Sequence, residues 1–123
     1  NIWKSFLDAQ FDDRQTYLEQ HESARQIRNQ LLRLYSDNRL DALVYPTATE
    51  EAVLIGQEQP HFNCKLAAAS GLPAISVPAG FGDYGMPVGI EFMAEPWSEQ
   101  KLLNLAYTIE QLAPTRRPPA LTP

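Results

Sequence analysis

The chain has 123 residues, of which 44% are hydrophobic and 20% charged, with a formal net charge of −5. This length implies one domain and enough chain to bury a core, and this balance of apolar and charged residues argues against disorder. The acidic balance, with only Arg116 and Arg117 adjacent among the basic residues, excludes a phosphate-binding surface, so neither nucleic acid nor an anionic membrane is expected as a partner.

Residues 1–13 mix Ile2, Trp3, Phe6, Leu7 and Phe11 with acidic residues and read as a short helix or the tail of another element. The chain opens on Asn1 with residues that already look structured, which suggests a piece of a longer polypeptide. From Asp13 to Tyr35 the pattern is helical. Tyr17, Ala24, Ile27, Leu31 and Leu34 form one stripe, and Arg25, Arg28 and Arg33 favour the helix dipole from the C-terminal half. Ser36, Asp37 and Asn38 end the helix.

Leu40–Tyr45 reads as a buried strand ended by Pro46, which cannot donate a ladder hydrogen bond. Thr47–Pro60 is a loop, and its Val53-Leu54-Ile55 patch is either a turn of helix or a lining segment. A loop of that length is more often functional or mobile than idle. His61–Ser70 is predicted as a helix closed by Gly71. Ala74–Val77 and Val88–Met93 are predicted as an antiparallel pair, with Gly80, Gly82, Asp83 and Gly85 marking the turn between them. In the second strand Val88, Ile90 and Phe92 face one side, Gly89 and Glu91 the other. Ser98 is the expected cap of a last helix, with Glu99 in its first turn. Its apolar face is Leu102, Leu105, Ala106, Ile109 and Leu112. Pro114 ends that helix, and residues 114–123 read as an extended, proline-rich tail.

Three strands make a small sheet with unprotected edges, which fits part of a larger α/β sheet better than a complete fold. The one cysteine, Cys64, allows no internal disulfide and no cysteine-based metal site. It suits a reducing compartment, so a cytoplasmic location is expected. No signal peptide and no apolar run long enough to span a bilayer are visible.

Asn63-Cys-Lys-Leu-Ala-Ala-Ala-Ser-Gly-Leu-Pro-Ala-Ile-Ser-Val-Pro-Ala-Gly-Phe81, followed by Gly85-Met-Pro-Val-Gly-Ile-Glu-Phe92, resembles the C-terminal part of the amidase signature family. Asp41-Ala-Leu-Val-Tyr-Pro-Thr47 resembles that family's strand leading into a Pro-Thr loop. The likeness covers most of residues 14–119. It implies an α/β fold class: a C-terminal fragment of a larger mixed-sheet amidase-signature fold, about three strands flanked by helices, with residues 1–123 as one part of that domain. It also implies hydrolysis of a carboxylic amide by a Ser–cis-Ser–Lys triad, with a small amide as the substrate. In that mechanism one serine attacks the carbonyl, the second serine and the lysine relay protons, and backbone N–H groups hold the oxyanion. The six serines of this chain are isolated, and Lys4, Lys65 and Lys101 match no catalytic motif, so no catalytic residue is assigned here and the chain alone is expected to be inactive. No cofactor and no metal are implied.

By the same resemblance the loop after Tyr45 and the segment before Gly71 border the substrate pocket, which makes Pro46, Thr47, Asn63 and Cys64 the candidate substrate-binding residues. Some relatives carry an asparagine where this chain has Ala68. Two alternatives remain: a module, derived from an amidase, that works by self-association or interaction, as a homodimer or swapped oligomer, or a non-catalytic regulator. Read from the residues alone, Ser70 and Ser76 are structural hydroxyls, His21 a helix-surface residue and His61 a loop or helix-start residue. Cys64 is a small buried apolar residue, the pairs Asp12-Asp13 and Glu50-Glu51 are solvated surface, and Trp3 and Trp97 pack, Trp97 as a staple ahead of the last helix.

Overall fold

The computed structural model describes residues 14–59 and 62–118, so the expectations for residues 1–13, including Trp3 and Asp12-Asp13, and for His61 lie outside the described residues. The elements are α1 (Arg14–Asn38), β1 (Leu43–Pro46), α2 (Lys65–Ser70), β2 (Ala74–Phe81), β3 (Pro87–Met93) and α3 (Glu99–Leu112). The sheet order is β1-β3-β2, antiparallel throughout, so among the described residues both β1 and β2 are edges, as the strand count implied.

Alternation divides the sheet into two faces. On one, Ile75, Val77, Ile90 and Phe92 meet Leu102, Leu105, Ala106 and Ile109 of α3, the face expected for that helix, although Leu112 at its end is exposed. The other face is apolar only at the Met93 end. There Met93 packs with Tyr35 of α1 and with Leu72, and Leu31, Leu32, Leu43 and Ala67 close around them. The helix thus buries a face rotated from the predicted stripe: Tyr17 and Leu34 are exposed, while Tyr35 is 1% exposed and donates its hydroxyl to the Met93 carbonyl at 2.6 Å. A fixed, buried acceptor on β3 decides the rotation.

Several boundaries also move. Helix α2 begins at Lys65 rather than His61, and ends as predicted at Gly71, whose φ of 63° is the left-handed conformation that glycine adopts without strain. Arg28 completes that end. Its Nη1 donates to the carbonyls of Ser70 (2.8 Å) and Gly71 (2.9 Å), so this arginine ties α1 to α2 rather than facing solvent. β2 runs through Pro78 to Phe81. The proline is accommodated because the strand is an edge and the register shifts between Pro78 and Gly80, a bulge where a missing N–H does little harm. Trp97 does not pack: it is 93% exposed and turns the chain with a φ of 64°. Ser98 makes no side-chain capping bond, since its backbone (φ −102°, ψ 22°) is not in the extended region a capping residue uses. The segment that follows α3 is held against β2 by Thr115, whose hydroxyl donates to the Pro78 carbonyl, and by Arg117 over the Phe81 ring.

Candidate functional site

Moving along the second sheet face away from Met93, the ladder changes character. The next row across the three strands is Tyr45, Glu91 and Ser76, and beyond it Thr47 lies beside Gly89, with the Thr47 N–H donating to the Gly89 carbonyl at 2.9 Å. Helix α1 covers the apolar row. The polar rows beyond it lie at the strand ends where the Thr47–Pro60 loop departs, and β3 becomes steadily less buried in that direction.

Glu91 is 6% exposed, and its carboxylate accepts the Tyr45 hydroxyl at 2.6 Å. Burial first, and then this bond and the charge of Glu91, push the Tyr45 phenol well above its ordinary pKa of 10.0; Cys64 is near enough to add a smaller push in the same direction. The folded protein therefore holds that proton more tightly than the unfolded chain does. The stability this contributes is complete below about pH 10 and is lost as the pH rises further. A urea-unfolding series between about pH 7 and about pH 11 is expected to show this fall, and Tyr45→Phe to flatten it. Part of the slope remains, because burial raises Tyr35 as well. An equally steep fall in Tyr45→Phe would remove Tyr45 as its source.

Pro46, Thr47 and Asn63 come together. Asn63 grips two successive carbonyls, with Nδ2 donating to Pro46 (2.7 Å) and the backbone N–H to Thr47 (2.9 Å). Ala48 and Phe62 then form an isolated bridge, which closes the loop at its neck. Cys64, beside Asn63 and just ahead of the first turn of α2, is exposed rather than buried. Thr47 Oγ1 lies 2.7 Å from Ser76 Oγ, either one donating. Gly89 lies under both: a Cβ there would stand 3.0 Å from each oxygen, so a larger residue would push the pair apart. Thr47, Ala48, Gln59 and Gly89 help line a cleft of about 190 Å³.

The far part of the loop is strapped to the hairpin turn. Glu51 accepts the N–H groups of Tyr84 (3.0 Å) and Met86 (3.1 Å), and a side chain at Gly82 would overlap its carboxylate. Glu51 is therefore a structural tie rather than the solvated neighbour of Glu50. Val53-Leu54-Ile55 forms no helix. It lines a broad, shallow cleft of about 1100 Å³ against Tyr84 and Met86.

The site holds hydroxyls and carbonyls able to bind; the Thr47 and Ser76 hydroxyls bond each other rather than a base, and the Tyr45 hydroxyl on Glu91 is held protonated by its raised pKa, so the site supplies contacts rather than a nucleophile. Among the described residues no three histidine, cysteine or carboxylate side chains gather as metal ligands, and no helix is long and apolar enough to cross a membrane. The sequence does not mark Ser76, Tyr45 and Glu91 as site residues. Their one signal is a shared alternation, which shows parity but not which strands pair.

The Amidase family model matches residues 1–103, and the chain belongs to that family. It is 47% identical over 51 residues to a fatty acid amide hydrolase of Arabidopsis thaliana, covering 42% of this chain and 8% of that protein. It is 36% identical over 85 residues to a glutamyl-tRNA(Gln) amidotransferase subunit of Thermodesulfovibrio yellowstonii, covering 62% of this chain and 17% of that one. Among solved structures, the peptide amidase of Stenotrophomonas maltophilia superposes with a TM-score of 0.79 at 34% identity, over 94% of this chain and 24% of that one. The chain thus spans a quarter or less of the length of each of these relatives. The α/β piece with its three-stranded sheet corresponds to part of the amidase-signature fold.

Proposed function

We propose that this chain is the C-terminal, substrate-facing part of an enzyme that hydrolyses carboxylic amides, with Pro46, Thr47, Asn63 and Cys64 bordering the pocket. The Ser–cis-Ser–Lys residues come from polypeptide upstream. There a serine oxygen bonds to the amide carbonyl carbon, the C–N bond breaks, and the amine leaves with a proton relayed through the second serine and the lysine. Water then cleaves the acyl ester and regenerates the serine. The observation that carries this reading is the convergence of Thr47 and the Asn63 clamp on the polar end of the sheet face, at the neck of the long loop. The relatives support it through their names, which are those of an amide hydrolase, a peptide amidase and part of an amidotransferase.

The full-length polypeptide carrying this chain is expected to release ammonia from a primary amide such as hexanamide or an N-acylated dipeptide amide, and residues 1–123 alone to release none. Absence of ammonia release by the full-length protein, or turnover by residues 1–123 alone, would sink the proposal.

A further inference from the structure

Ser76 reads in the sequence as a structural strand hydroxyl, yet it is exposed, and it stands 2.7 Å from Thr47 at the polar end of the sheet. We propose that Ser76 and Thr47 act as a paired-hydroxyl contact that selects amide substrates carrying a further neutral carbonyl beside the scissile one, as a peptide amide does; this deepens the amidase reading and rests on it. Two hydroxyls hold two protons, and the bond between them uses one. The second proton is left to donate outward, and the hydroxyl that already accepts a bond is the more polarised donor. The absence of a side chain at Gly89 keeps the pair in place and the floor beneath it bare.

The surroundings decide what the pair would accept. Glu50 lines the adjoining cleft, and Glu91 neighbours Ser76 across the ladder. Two carboxylates disfavour an anionic group there, so a carbonyl oxygen fits and a carboxylate does not. A simple aliphatic amide offers only its scissile carbonyl and leaves the outward proton to water.

The test compares kcat/KM for an N-acylated dipeptide amide and for hexanamide in the full-length protein. Ser76→Ala is expected to lower the ratio of the two by about threefold to tenfold, the effect of one neutral hydrogen bond, and Ser76→Thr to restore it to within about twofold. If the pair were only a tie between strands, Ser76→Ala would lower both substrates alike. An unchanged ratio, with or without a general loss of activity, overturns the proposal. Turnover of hexanamide without turnover of the peptide amide by the wild type overturns it too, and leaves the amidase reading standing. No turnover of either refutes both.

Discussion

Truncating Tyr35 to alanine is expected to lower the unfolding free energy by about 3–5 kcal/mol, the range for removing a large ring from a packed core. The ring is 1% exposed and holds α1 against Met93 and Leu72, and no other residue of α1 is fully buried. Its hydroxyl adds a second effect, since the Met93 carbonyl at 2.6 Å would lose its donor in a place water reaches poorly. Tyr35→Phe isolates that part and should destabilise by about 1–3 kcal/mol. The measurement is the urea midpoint at unchanged m-value. A loss under about 1 kcal/mol in Tyr35→Ala would mean that α1 is held by Arg28 and its bonds to Ser70 and Gly71 instead.

Element types are legible in the sequence because they rest on local chemistry. Gly71 in the left-handed conformation and the alternation of Val88 to Met93 need nothing beyond neighbouring residues. Several of the misreadings turn on a partner far along the chain. Helix α1 carries several weak apolar stripes, and the Met93 carbonyl, 58 residues on, selects the one that contains Tyr35. Glu50 and Glu51 are chemically identical, but only Glu51 meets a gap opposite Gly82 and two free N–H groups at Tyr84 and Met86. Pro78 sits inside a strand because a bulge, which no single-strand pattern reveals, absorbs it. The candidate site shows the same division. Thr47 and Asn63 stand out through family likeness. Ser76, Tyr45 and Glu91 require the register, because a row across three strands exists only once the pairing is known.

Removing the Asn63 amide is expected to reduce kcat/KM of the full-length enzyme by about tenfold to a hundredfold, with little loss of stability. The amide Nδ2 holds the Pro46 carbonyl at 2.7 Å, and the backbone N–H holds that of Thr47 at 2.9 Å, so one residue fixes the direction in which the chain leaves β1. Thr47 Oγ1 depends on that direction to reach Ser76. Pro46 is exposed, so water can replace the lost donor, and the stability change should stay below about 1.5 kcal/mol. The geometric consequence is larger, because a displacement on the order of 1 Å in a group that orients substrate can cost about a hundredfold in rate. Two variants separate the causes. Asn63→Leu removes the donor and leaves a neutral side chain. Asn63→Asp keeps the shape but turns a carboxylate oxygen toward the Pro46 carbonyl, where two acceptors repel, so it should be at least as damaging as Asn63→Leu despite being the smaller change. Wild-type kcat/KM in Asn63→Asp would show that the loop neck is set by the Ala48–Phe62 bridge and the Glu51 tie, and that Asn63 does not position Thr47.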